Sequence, residues 1–416
     1  MKLLISFLLF VFLFLTACRS TKTNGIAEQK HYRNLFLEAG YKQEAIKQKI
    51  ENAFHKLFYG NKETEAVYFE AGQNANGKLA YIPDVNNNDV RSEGMSYGMM
   101  IALQMDKKEI FDALWNWSKT YMYHSNPAHP AYGYFSWSSK TDGTANDEMP
   151  APDGEEYYAT ALYFASARWG DGIGIYNYKK EADTLTTFMR HKAAITGEIH
   201  GRKMTAINLF DEKNGMVRFT PDLPNAEHTD ASYHLPAFYE VWAIKAPVAD
   251  RAFWKKAATV SREYFEKAAH PSTGLTPDYG NFDGTPWIAP WRRESGNFSY
   301  DAWRTVMNWG VDWSWWHRDE RAIQRSKRLL KFFESEGMSS YGNQYTLDGK
   351  KLQSGQPTGL IACNATAALA DTSTNALKFV RTLWDRDVPT GRYRYYDSML
   401  MMMALLHCSG EFKVYL

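Results

Sequence analysis

The run Pro150-Ala151-Pro152-Asp153-Gly154-Glu155-Glu156-Tyr157-Tyr158 sets three carboxylates within four positions, where a proline-broken loop enters an apolar helix. Residues 159–169 then repeat apolar side chains at helical spacing. Asp153 or Gly154 reads as the N-cap. Glu155 and Glu156 read as first-turn acids, favoured there by the helix dipole. An acidic cap is the plain reading of such a run. Its aromatic company adds a second one: Tyr132, Tyr134, Phe135 and Trp137 lie just upstream in a Gly/Ser-rich loop. Carboxylates beside exposed rings suit a sugar, with rings on its apolar faces and acids on its hydroxyls.

Three further stretches have the same form. Glu93 opens a helix in Ser92-Glu93-Gly94-Met95-Ser96-Tyr97-Gly98, where Gly94 and Gly98 each cost about 1 kcal/mol of helix stability. The small residues leave room for a ligand above the helix end. Asp301 and Arg304 stand three apart at another helix start and share a face, as in an ordinary i,i+3 salt bridge. In Asp230-Ala231-Ser232-Tyr233-His234, Tyr233 and His234 begin a fourth helix. In a ring of antiparallel helix pairs, alternate helix starts share one rim and can converge.

Competing chemistries lack their signatures. The chain has no G-x-S-x-G elbow, phosphate loop or dinucleotide fingerprint, so no cofactor is expected. Its 11 histidines show no H-E-x-x-H spacing; His124 and His129 lie in a loop, and no metal ligand is assigned. With 48 basic and 47 acidic residues and no basic block, there is no footprint for nucleic acid. Paired carboxylates in a chain that is 15% aromatic point instead to glycoside hydrolysis. That reaction needs one protonated acid for the leaving oxygen and one carboxylate for the water or the sugar.

The elements that must position these groups are helical. Periodic apolar runs cover Ile46 to Leu57, Met95 to Met105, Ile110 to Tyr121 and the stretch after Asp153. A weaker one spans Tyr178 to His191. Others follow at Ala231 to Ile244, Ala252 to Ala268, Tyr300 to Trp316, Ala322 to Phe333, Thr358 to Ala370, Asn375 to Trp384 and Tyr393 to His407. The expectation is an all-α domain over residues 36–416, about twelve helices in pairs curling into a closed ring, with no run of alternating strands. Residues 195–230 and 271–299 are the longest non-helical stretches, a length usually tied to function.

Residues 1–17 read as a signal peptide: a basic start, an apolar run too short to span a bilayer, and the ending Leu15-Thr16-Ala17-Cys18. That ending resembles a bacterial lipobox, which implies cleavage before Cys18, its lipidation and attachment in the cell envelope; a plain secretory signal is the alternative. Residues 18–35 then serve as a tether. Cys363 and Cys408 lie in apolar helical text, so stability is expected from the core, with no disulfide indicated.

At these motifs the chain resembles glycoside hydrolase family 8. Ser92-Glu93-Gly94-x-x-Tyr97-Gly98 is similar to that family's acid-bearing segment, and Tyr300-Asp301-Ala302-x-Arg304 to its base-bearing segment. Pro152-Asp153-Gly154-Glu155-Glu156 resembles its Asp-Gly-Asp/Glu signature. Through Asp147 to Glu156 and Trp169-Gly170-Asp171-Gly172, the likeness is closest to reducing-end xylose-releasing exo-oligoxylanases. The resemblance implies an (α/α)6 barrel and inversion at the anomeric carbon. It makes Glu93 the general acid, Asp301 the general base, Tyr233 a holder of the water, and Asp153 and Arg304 ligands of the sugar, with Trp137 a stacking platform. Glu93 would then have to stay protonated near neutral pH through burial or a nearby acid. The expected activity is hydrolysis of β-1,4-xylooligosaccharides with release of xylose from the reducing end, by a monomer that meets membrane only through its lipid. One departure bears on this: the Leu-His-Pro loop of the exo-acting members is replaced by Gly355-Gln356-Pro357-Thr358. The alternatives are an endo-β-1,4-xylanase, a relative acting on glucan or chitosan, and a non-catalytic sugar-binding lipoprotein.

Overall fold

The structure is a computed structural model, and it describes residues 32–223 and 225–416. The signal peptide and Cys18 lie outside the described residues. Among these, thirteen α-helices are present: α1 (Leu35–Glu38), α2 (Gln43–Tyr59), α3 (Ser92–Gln104), α4 (Lys108–Trp117), α5 (Pro152–Trp169), α6 (Tyr178–His191), α7 (Pro236–Lys245), α8 (Arg251–Ala268), α9 (Tyr300–Trp316), α10 (Arg321–Ser335), α11 (Thr358–Ala367), α12 (Ala376–Trp384) and α13 (Arg394–Cys408).

Contacts between them define two concentric rings. Helices α3, α5, α7, α9, α11 and α13 each touch the next, and α13 returns to α3, which closes an inner ring of six. Helices α4, α6, α8, α10 and α12 back α3, α5, α7, α9 and α11 from outside, while α2 backs α13. This is the (α/α)6 barrel.

Sequence decides which ring a helix joins. Inner helices are apolar around most of their circumference: α11 buries every residue from Gly359 to Ala367, and α5 every residue from Pro152 to Ala165. The outer α10 buries only Ala322, Arg325, Ser326, Leu329, Leu330 and Phe333, one stripe at helical spacing. Small residues let inner helices approach closely. A Cβ on Gly310 of α9 would stand 2.5 Å from the Thr366 carbonyl oxygen of α11. Arg262 of α8 pins two inner helices, donating to Asp312 of α9 (2.7 and 2.8 Å) and to Glu240 of α7 (2.8 Å).

Several details differ from the sequence reading. The weak run at Tyr178 becomes a full 14-residue helix. The fourth site helix begins at Pro236, because Ala231–Tyr233 forms a separate 3-10 turn, His234 is extended and a proline takes the first helical position. Short strands are present, though the sequence shows no alternating run. Pro83–Asp84, Asp89–Arg91, Ser138–Ser139 and Ala145–Asp147 form a four-stranded sheet, and Ile195–Ile199 pairs with Arg202–Ala206 as a hairpin. Most are too short to show a period of two, and Gly197 interrupts the hairpin's pattern.

The packed unit runs from Tyr32 to Leu416. Packing starts within the stretch read as a tether: Leu35 is buried, and Arg33 donates to the carbonyls of Ala368 (2.8 Å) and Leu369 (3.0 Å). Cys363 and Cys408 are buried free thiols. No described helix is long and apolar enough to cross a membrane.

Candidate active site

Glu93, Asp153 and Asp301 each stand in the first turn of an inner helix (α3, α5 and α9), and Tyr233 lies just before α7. One side chain draws the acids together. Arg304, one turn along α9 from Asp301, is buried. Its Nη1 donates to Glu93 Oε2 (2.8 Å), to Asp153 Oδ2 (2.5 Å) and to the Tyr97 hydroxyl (3.0 Å). Its Nη2 donates to Asp301 Oδ1 (3.0 Å), and the guanidinium lies over the Tyr233 ring, 5.8 Å from its centroid. The i,i+3 pair is therefore one edge of a network joining three helices.

The carboxyls differ in environment. Glu93 is largely buried, and Tyr395 of α13 donates its hydroxyl to Glu93 Oε1 (2.9 Å). Burial raises the Glu93 pKa to about 7, with Asp153 adding; Arg304, Arg91 and the Tyr395 hydrogen bond pull the other way. Asp153 is raised by burial against the pull of Arg304. Asp301 is the most open of the three, its side chain 26% exposed against 15% for Glu93 and 5% for Asp153. One group is thus raised towards neutral pH, and another stands partly exposed beside Arg304.

Glu155 and Glu156 are not solvent-facing cap acids. Ala151 takes the N-cap place, Pro152 starts the helix, and both glutamates point into protein. Glu155 Oε1 accepts from the Phe135 amide (3.0 Å), and Glu156 Oε1 from the Tyr239 hydroxyl. Burial raises both well above the ordinary carboxyl value, with these hydrogen bonds opposing. Asp230 is similar: buried, accepting from the Ser232 amide (2.6 Å), and raised by burial and then by Asp301.

A cavity of about 420 Å³ opens beside these groups, with Trp137, Phe219, Tyr233, Tyr279 and Trp291 among its lining. Trp137 is held by its backbone between two site helices. Its carbonyl accepts from the Ser92 amide (3.0 Å), and its amide donates to the Met149 carbonyl (2.9 Å) ahead of α5. The other rings of that loop have different places: Tyr134 and Phe135 are core residues. Composition signals rings but not which of them face a ligand. His124, His129 and Glu148 have ligand atoms within 4.8 Å of one another. These atoms already have partners: His129 Nε2 meets Glu148 Oε2 (2.6 Å), His129 Nδ1 accepts from the Ala131 amide (3.1 Å), and His124 Nε2 meets Ser136 Oγ (2.9 Å). The cluster ties the Trp137 loop to the segment entering α5.

Four residues close to the reacting groups had no role from sequence: Tyr97, Tyr395, Asp278 and Arg292. Tyr395 sits in the aromatic and charged run Tyr393-Arg394-Tyr395-Tyr396-Asp397 at the start of α13, so the helix-start pattern that exposes Glu93 also marks it. Asp278 and Arg292 fall in the long loop at 271–299, where no periodicity singles out a residue.

Comparison with known proteins agrees with the fold. The profile described as glycosyl hydrolases family 8 matches residues 71–410. The chain is 41% identical over 386 residues to the reducing-end xylose-releasing exo-oligoxylanase Rex8A of Paenibacillus barcinonensis, covering 92% of this chain and 97% of that protein. A solved family 8 xylobiose complex from Teredinibacter turnerae is 61% identical, with a TM-score of 0.91, over 92% of this chain and 98% of that one. The same figures hold for a structure described as a catalytic mutant xylohexaose complex of a xylanase from that organism.

Proposed function

This chain belongs to glycosyl hydrolases family 8, and we propose that it cleaves β-1,4-linked xylooligosaccharides by single displacement with inversion, releasing xylose from the reducing end. The observation that carries the reading is the Arg304 network, which sets a protonated Glu93 and an open Asp301 on one guanidinium. Glu93 gives its proton to the glycosidic oxygen as the bond to the anomeric carbon breaks. A water attacks that carbon from the opposite face, and Asp301 takes the water's proton. Arg304 stabilises the Glu93 carboxylate as it forms. Asp153 holds a sugar hydroxyl at the cleavage point, Tyr233 orients the water, and Trp137 offers a face to a neighbouring sugar.

Internal cleavage is the second reading, and two observations favour it. The loop before α11 carries Gln356-Pro357 in place of His-Pro, with the Gln356 amide donating to the Met338 carbonyl (3.1 Å). The relative at 61% identity is described as a xylanase in complex with xylohexaose. Xylotriose labelled at its reducing end separates the two. Loss of one labelled xylose supports release from that end, and cleavage that requires longer chains supports internal cutting. In early-time NMR the new reducing end must be the α-anomer; a β-anomer would overturn inversion.

We also propose that Cys18 carries lipid and holds a monomeric enzyme at the bacterial cell envelope, on the support of Leu15-Thr16-Ala17-Cys18. Cys18→Ala should lose labelled fatty acid and leave the membrane fraction. Retention of both would sink the anchor.

A further inference from the structure

Asp301 is gripped from two sides. Arg304 takes its inner oxygen, and Arg292 Nη1 lies 3.4 Å from its outer oxygen, Oδ2. Arg292 comes from the long loop rather than from an inner helix, so something must hold it there. That anchor is Asp278, fully buried, whose Oδ2 accepts from Arg292 Nη2 (2.6 Å) and from the Ser299 hydroxyl. Arg292 Nη2 also donates to Ser299 Oγ (3.1 Å), and its Nη1 lies 3.4 Å from the Tyr279 hydroxyl.

The same Asp278 caps α9. Ser299, the N-cap residue, makes no side-chain cap bond of its own. Instead Asp278 Oδ1 accepts from the amides of Ser299 (3.2 Å) and Ala302 (2.9 Å), from more than 20 residues upstream. One carboxyl therefore sets the backbone of the turn that carries Asp301 and also the arginine that holds the Asp301 side chain. A buried acid that orders a catalytic turn from a distance is a costly arrangement unless the turn's position matters.

We infer that Arg292, anchored by Asp278, is a positioning residue for Asp301: it fixes the outer carboxylate oxygen so that the carboxyl faces the water whose proton it takes. The inference rests on reading Asp301 as the base. The charged and titratable groups around Asp301 are Arg292, Tyr279 and Asp278 from the loop and its strand, Asp230 and Tyr233 ahead of α7, Asp153 of α5, Arg304 of α9 and Tyr396 of α13. Among these, the arginines alone carry positive charge. Burial and then Asp301 raise the pKa of Asp278 to about 7, with Arg292 opposing, as expected where one arginine serves two acids.

The test is the pH profile of kcat/KM on xylotriose for the full-length enzyme and for Arg292→Met and Arg292→Lys. The acid limb reports ionisation of the base in the free enzyme. Without the arginine the carboxylate loses a stabilising cation, so the limb should move to higher pH, by about 1 unit for a partly exposed partner. Arg292→Lys should return most of that shift, and kcat should fall more than KM rises in Arg292→Met. A limb at the wild-type pH in Arg292→Met would overturn the inference, even with reduced activity. If the methionine variant fails to fold, Arg292→Gln is read in the same way. Failure of the underlying reading looks different: Asp301→Asn with full activity removes the base assignment wherever the Arg292 limb falls.

Discussion

Glu93 and Asp301 share Arg304 but differ in burial, and burial raises the Glu93 pKa to about 7. Removing the Glu93 acid should lower kcat on xylotriose by about 10²–10⁴-fold in Glu93→Ala. Hydrolysis at the normal rate in that variant would leave a sugar-binding protein and no enzyme. Tyr395 gives a finer test. Its hydrogen bond favours the charged form of Glu93, so Tyr395→Phe should raise the Glu93 pKa and move the basic limb of kcat/KM to higher pH. A basic limb moved to lower pH would contradict that sign. At this scale the sequence is most legible where chemistry coincides with punctuation. Glu93 and Asp153 stand out because a loop, a glycine or a proline, and an apolar run meet at each, and Asp301 because it lies three residues from Arg304 at a helix start. Tyr395 opens a helix too, but its role lies in a partner, an acid 302 positions away, and Arg292 sits in a loop without periodicity.

The elements converge because their first turns touch. A Cβ on Gly154 would lie 2.4 Å from Ser92 Oγ and 2.6 Å from its Cβ, so the start of α5 rests directly on the start of α3. Gly154→Ala should therefore push Asp153 away from Glu93 and Arg304. We expect a stability loss of about 1–3 kcal/mol, seen as a lower melting temperature. The same shift should cut kcat by roughly 10²-fold, as for a misplacement of about 1 Å. Wild-type kinetics in this variant would show that the contact between helix starts does not set the site. Helix periodicity made about twelve helices and their pairing into a ring visible in sequence, whereas which helices line the inside follows from how much of each is buried. The strands were not visible: segments of two to six residues are too short to leave a periodic trace.

For the molecule as a whole, the buried acids in its interior couple stability to pH. The folded pKa values of Glu155 and Glu156 lie above their unfolded values. Their contribution is thus complete below the unfolded value of about 4.3 and is lost as pH rises towards the folded ones, at about 1.4 kcal/mol per unit per group. Glutamine mimics the protonated acid and keeps the oxygen that accepts from Tyr239. Glu156→Gln should therefore melt close to the wild type at pH 5 and above it at pH 8. Parallel melting curves across that range would refute the coupling.

The closure of the inner ring also has a meaning in time. Glu93 is carried by the first inner helix, and the hydroxyl that holds it comes from the last, α13, which returns to α3 and rests on α2. A growing chain makes the acid early and its partner almost at the end. Until α13 is in place, the ring is open and Glu93 lacks Tyr395, whatever else has folded. Hydrolysis therefore begins only when synthesis of the barrel is finished, and a chain cut short before Tyr395 carries all three carboxylates without the arrangement that lets them act.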